Sequence, residues 1–288
     1  MNKEKIAILT DSASDVPQDI IDKFNIKVIP LKVIYSEEEE YIDKINITAD
    51  EIINRMPDEI PTTSLPSAED IESILDQFVK DGYTKVLAIT ISSGLSGTYN
   101  LVRLLAEDYD QLDIHTVDTR SIGIGSGLHT IYATELIEAG YDWETIKEKI
   151  DSQRERSLIL FHLQELSYLQ KGGRIGLVSS MLGSLLNIQP IISCNEDGIY
   201  YTVSKARGLK RSINNLVKDL KDFVKEGKKV NIGVAYGSQE VKEIAHGILE
   251  RLKKEIPHAN QIFFDQISPV LIVHTGPSLI GASVQIVD

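Results

Sequence analysis

Hydroxyl side chains gather at two junctions where a strand-like segment gives way to a helix-like one. The run Ser92-Ser93-Gly94-Leu95-Ser96-Gly97-Thr98-Tyr99 follows the apolar segment 84–91 and opens a helical periodicity at Tyr99. Upstream, Pro61-Thr62-Thr63-Ser64-Leu65-Pro66-Ser67 leads into the periodic run 68–80. Such turns offer hydroxyls, free backbone N–H groups and the positive end of a helix dipole. Together these suit a small anion, a carboxylate or a phosphate. Thr63 and Ser96 are candidate donors, supported by Thr62, Ser64 and Ser12, while Gly97 lets backbone approach a ligand closely. The same hydroxyls would also serve as plain helix caps. His274 ends a strand-like apolar stretch, 271–274, before Gly276-Pro277, where an imidazole could pair with a buried carboxylate or simply complete a turn.

The same residues admit other chemistry. Ser96 as nucleophile and His274 as base, oriented by Asp11 or Asp118, would make a lipid hydrolase or acyltransferase. The spacing around Ser96 lacks the second glycine of the Gly-x-Ser-x-Gly elbow. Gly123, Gly125 and Gly127 fall in a Gly-x-Gly-x-Gly spacing, which fits close backbone packing better than a dinucleotide loop. Asp11 could orient the hydroxyl cluster, and Asp15 reads as a helix cap. No His/Cys/Asp/Glu cluster has metal-ligand spacing, so no cofactor is expected.

The elements that must position these groups alternate strand and helix through the first half. Strands are predicted at 6–10, 27–35, 84–91 and 113–118, with helices at 17–24, 48–56, 68–80, from Tyr99, and at 126–138. Ser67 with Asp70 has capping-box spacing. Buried strands separated by helices predict an α/β fold, a Rossmann-like parallel sheet with helices on both faces and ligands at the carboxyl ends of its strands. A phosphosugar or nucleotide site is a further reading of that alternation alone. In the second half, helix 143–156 precedes strand 158–163, a short helix 165–170 and an apolar helical face of Leu177, Met181, Leu182, Leu185 and Leu186. A hairpin follows, 189–194 and 199–204, then helix 212–225 and a mixed tail with strands at 231–235, 262–266, 271–274 and 284–287. Glu37 to Glu40 reads as a solvated loop. The expected division is residues 1–155, an N-terminal carboxylate-binding domain, and 156–288, a C-terminal α/β domain, with the site between them.

A net charge of −13 argues against nucleic acid and anionic lipid surfaces as partners. One cysteine, Cys194, excludes an intramolecular disulfide. No apolar run is long enough to span a bilayer, and the N-terminus has no signal-peptide core, so a cytoplasmic location is expected.

In chain order, the sequence carries Thr10-Asp11-Ser12, Pro61 through Ser67, Ile91 through Tyr99, Val117-Asp118-Thr119, Leu169-Gln170-Lys171-Gly172-Gly173-Arg174-Ile175, Lys205-Ala206-Arg207, and Ser268 through Pro277. With these motifs it resembles the DegV family, fatty-acid-binding proteins that include the lipid-carrying subunit of bacterial fatty acid kinase. Leu65 stands where the family usually has Gln. The resemblance implies a non-enzymatic carrier for a long-chain, palmitate- or oleate-like acid. It implies that Thr63, Ser96 and His274 hold the carboxylate. It further implies an ATP-dependent kinase subunit as partner, with Arg207 on the docking surface, and acyl phosphate feeding phospholipid synthesis.

Overall fold

The computed structural model describes residues 2–181, 188–224 and 228–287. The first half begins with β1 (Ile6–Asp11), a short 3-10 turn, α1 (Gln18–Phe24), β2 (Lys27–Ile29), β3 (Lys32–Ser36) and β4 (Glu39–Ile42). There follow α2 (Ala49–Arg55), β5 (Thr62–Ser64), α3 (Ala68–Lys80), β6 (Lys85–Thr90), α4 (Thr98–Ala106), β7 (Asp113–Asp118) and α5 (Ile124–Glu138). Strands β2-β1-β6-β7 form a parallel sheet, and β4-β3-β5 a small antiparallel one. β1 is buried along its whole length and alternates between two cores. Ala7 and Leu9 meet Ile71, Leu75 and Phe78 of α3, while Ile6 and Ile8 face the opposite core with Leu128 and Ile131 of α5.

The second half contains α6 (Trp143–Asp151), α7 (Gln153–Arg156), β8 (Ser157–His162), α8 (Ser167–Lys171), β9 (Ile188–Cys194) and β10 (Tyr200–Arg207). It continues with α9 (Leu209–Phe223), β11 (Val230–Tyr236), α10 (Gln239–Glu255), β12 (Ala259–Gln266), α11 (Pro269–Thr275) and β13 (Ile280–Ile286). The six-stranded sheet runs β10-β9-β8-β13-β11-β12; only the β11–β12 pair is parallel. α9 and α10 cover one face. α5 packs on the other face while also touching β1 and β6, so it is shared by both sheets. Twelve of its fifteen residues are buried, as expected of a helix with no solvent side. Its glycines serve close packing: a Cβ on Gly127 would lie 2.4 Å from the Ser14 carbonyl oxygen.

Several expectations are corrected. The single strand expected over 27–35 is two strands in different sheets. Pro30 has no N–H for a ladder and turns the chain between them. The Glu37–Glu40 loop is instead a hairpin whose return strand is β4. The helix expected over 143–156 divides at Ser152. Asp15 does not cap α1; its backbone is left-handed and its carboxylate accepts from Lys44 Nζ at 2.8 Å and from Ser268 N at 3.1 Å. The strand expected at 271–274 is helix α11, with Pro269 in its first turn. The apolar helical face beginning at Leu177 opens as a 3-10 turn, Gly176–Met181, with Met181 buried and Leu177 exposed. Leu182, Leu185 and Leu186 lie outside the described residues.

Candidate functional site

Thr63 is the middle residue of β5, paired with Val33. Alternation along the strand turns it to the face opposite Thr62 and Ser64. Its Oγ1 lies 2.7 Å from His274 Nε2, 211 residues away in sequence. α11 delivers this histidine, and its amino end is held from two sides. Asp43 Oδ1 accepts from Val270 N at 3.1 Å, while Asp15 takes Ser268 N. Carboxylates at the amino end of a helix meet its unpaired N–H groups.

Burial, reinforced by the Arg174 charge, pushes the His274 pKa down to about 4, so the imidazole is neutral at physiological pH. Its Nδ1 is buried without a hydrogen-bond partner, against the backbone of Gly172. A bare lone pair there costs less than a buried N–H with no acceptor. The proton is therefore assigned to Nε2, which donates to Thr63 Oγ1. The Thr63 hydroxyl proton is then free to point at an anion.

Ser96 closes the turn after β6. Its Oγ lies 2.9 Å from Thr98 Oγ1 and accepts from Thr98 N at 3.3 Å. Two carboxylates brace this turn from neighbouring strand ends. Asp11 accepts from Ile91 N at 2.8 Å and Ala13 N at 3.0 Å, and burial raises its pKa to about 7. Asp118 accepts from Ser93 N at 3.0 Å and Ser93 Oγ at 2.6 Å. The β9–β10 turn leans on the same loop, with Ser92 Oγ donating to the Gly198 carbonyl at 2.8 Å.

Thr63, Ser64, Ser96 and His274 line one cavity of about 200 Å³. Arg174 lines it too, a residue of the Leu169–Ile175 motif that sequence reasoning leaves outside the site. Its guanidinium donates to the Gly172 carbonyl at 2.7 Å and to the Leu95 carbonyl at 3.2 Å, which sets a positive charge in the wall. The signal for it was a lone arginine directly after the Gly172-Gly173 helix stop. Apolar side chains, among them Leu31, Ile91 and Val270, complete the wall. Ile122, Tyr200 and Leu271 also line a second, apolar crevice of about 30 Å³ between α5 and the six-stranded sheet, walled by Ile124, Ile159 and Phe161 among others.

The remaining candidates lie apart from the cavity wall. Thr62 is exposed and its hydroxyl donates to the Ile34 carbonyl. Ser12 Oγ accepts from Leu31 N and lines a separate cavity of about 250 Å³. Gly97 supports the Leu65 side chain, 3.1 Å from where a Cβ would stand. Arg207 is exposed at the end of β10. The nucleophile–base relay is not formed: His274 Nε2 meets Thr63, Ser96 meets Thr98, and Asp11 and Asp118 bond elsewhere. Among the described residues no group of three or more His, Cys, Asp or Glu could hold a metal ion. No helix among them is long and apolar enough to cross a membrane.

The family model for DegV proteins matches residues 5–286. A DegV domain-containing protein of Clostridium acetobutylicum is 42% identical over 281 residues, 96% of this chain and 98% of the relative. Among solved structures, a fatty-acid-binding DegV family protein of Thermus thermophilus superposes with a TM-score of 0.88 at 28% identity, covering 99% of this chain and 100% of that one. A stearic-acid-binding protein of Eubacterium ventriosum gives a TM-score of 0.85 at 27% identity, with 98% of each chain covered. From the motifs through the fold to these similarities, the chain belongs to the DegV family.

Proposed function

We propose that the protein is a cytoplasmic fatty-acid carrier that holds a long-chain acid and presents its carboxylate to an ATP-dependent kinase subunit. The acyl phosphate made there would feed phospholipid synthesis. The carrying observation is the 2.7 Å Thr63–His274 contact beside Ser96 and Arg174, in a cavity that shares three wall residues with an adjacent apolar crevice. A carboxylate leaving water must exchange its hydration for such donors, since burying it unpaired costs several kcal/mol. Each methylene buried beyond the head returns ~0.8 kcal/mol before ordering costs. Thr63 and Ser96 come from the 1–155 part and His274 from 156–288, which supports a carboxylate-binding unit covered by a second one. The protein itself acts as carrier, not catalyst.

Native mass spectrometry of protein purified from cells is expected to show added mass matching a palmitate- or oleate-like acid. Lipid-free protein that also fails to take up either acid would end this reading. Arg207 serves as the kinase-docking group in this scheme. Arg207→Ala is expected to leave fatty-acid affinity unchanged and to slow kinase-dependent acyl phosphate formation about tenfold or more, the loss of one interfacial arginine contact. Unchanged turnover with the cognate kinase subunit would remove that assignment.

A further inference from the structure

The cavity of about 200 Å³ is small beside the 300–1,000 Å³ usual for ligand sites, and the crevice adds only about 30 Å³. A tail running from the head cavity into the crevice passes between the three side chains that line both spaces: Ile122, Leu271 and Tyr200. Two of these stand on clamped backbone. Ile122 precedes Gly123, whose N–H is bonded to the Ala13 carbonyl and whose Cα faces Leu271 and Asp15. Leu271 lies on α11, whose amino end is fixed by Asp15 and Asp43.

Tyr200 is likewise held, by pairing with Cys194 and by contact with Gly176, but it brings an aromatic ring where the other two bring short aliphatic side chains, and so fills the most space between the cavity and the crevice. It is 3% exposed, feels the Arg174 charge at the head end, and meets Phe161 edge-on with ring centroids 5.1 Å apart at the tail end.

We infer that Tyr200, braced by Phe161, is the neck of the site and sets how much acyl chain can enter. The inference rests on the carrier reading. With the ring in place the neck limits the chain; with the ring removed, the head cavity and crevice merge. Each carbon newly admitted to an apolar wall is then worth about fourfold in affinity (~0.8 kcal/mol).

The test measures dissociation constants of saturated acids from ten to twenty carbons for purified, delipidated full-length protein by fluorescence displacement. Wild type is expected to show a length optimum. Tyr200→Ala should move it toward longer chains, by about fourfold per added carbon past the wild-type optimum. Tyr200→Phe should keep the wild-type profile, because the ring and not the hydroxyl is the obstacle. Tyr200→Trp should move the optimum to shorter chains, and it carries the test alone where the alanine variant does not fold. Profiles that coincide for wild type, Tyr200→Ala and Tyr200→Trp overturn the neck while leaving the carrier reading standing. Wild-type protein that takes none of these acids overturns both.

Discussion

At the residue scale, the cavity wall offers an anion donors of different kinds. Arg174 supplies charge, Ser96 a hydroxyl at a helix start, and Thr63 a hydroxyl whose direction is set by a neutral imidazole. Thr63→Val keeps the side-chain volume and deletes the donor. Fatty-acid affinity should fall roughly 10–100-fold, the worth of a hydrogen bond to a charged group. Displacement of a fluorescent acid measures it, and unchanged affinity would remove Thr63 from the head site. Thr63, Ser96 and His274, which the fold brings to one cavity, stood out in the sequence as hydroxyls at two strand-to-helix turns and a histidine before Gly-Pro, although each alone reads equally as a cap or a turn residue. Arg174 did not, because a charged residue after a helix stop looks like any solvated one. Only the fold turns it inward, onto the Leu95 and Gly172 carbonyls.

At the element scale, α8 and α11 meet where Gly172 backs the imidazole. A Cβ built there would lie 2.1 Å from His274 Nδ1, although the Gly172 backbone has ordinary helical angles that alanine accepts. Gly172→Ala should therefore fold but displace the ring and break the Thr63 contact. The expected result is a loss of fatty-acid affinity of about tenfold or more, the scale of one lost hydrogen bond to a charged group, with little change in melting temperature. A matching loss of stability would show the backbone itself to be at fault.

The elements that sequence reading misjudged share a cause. Val270-Leu271-Ile272-Val273 is a short apolar run without a readable period, and β-branched residues favour strand. Helix wins because Ser268 and Pro269 start it and two distant carboxylates hold its N–H groups, which no local pattern records. β4 looked like loop because its glutamates face water on a small edge sheet. The parallel character of the first sheet was readable, because its central strands β1 and β6 are buried on both faces and have to be apolar along most of their length, whereas the order of its strands was not.

At the scale of the whole molecule, buried titratable groups oppose one another as pH changes. His129 and His274 are pushed down to about 4, chiefly by burial. The unfolded chain takes up their protons near 6.5 and the folded chain does not, so their contribution is complete above that value and is lost as pH falls toward 4. Asp11 and Asp43 are raised to about 7 and about 6, again chiefly by burial. The folded state holds their protons where the unfolded state has released them, so stability is lost as pH rises from about 4 through those values.

Asp11→Asn isolates the second effect. Its stability relative to wild type should improve between pH 4 and pH 7, by on the order of 1–3 kcal/mol, and level off above pH 7. Urea denaturation at a series of pH values measures the difference. A difference independent of pH would mean that Asp11 is not protonated in the folded protein. The improvement starts from a deficit, because asparagine cannot accept from both Ile91 N and Ala13 N.

β13 lies between β8 and β11 in the six-stranded sheet, although the chain reaches it only after both of them. On the ribosome, β8 waits without its inner neighbour and α5 without part of its cover until Ile280–Ile286 has emerged. Folding of this half thus waits on Ile280–Ile286, and a chain cut short ahead of them would leave β8 and β11 without their shared neighbour, a nascent species suited to chaperones and proteases.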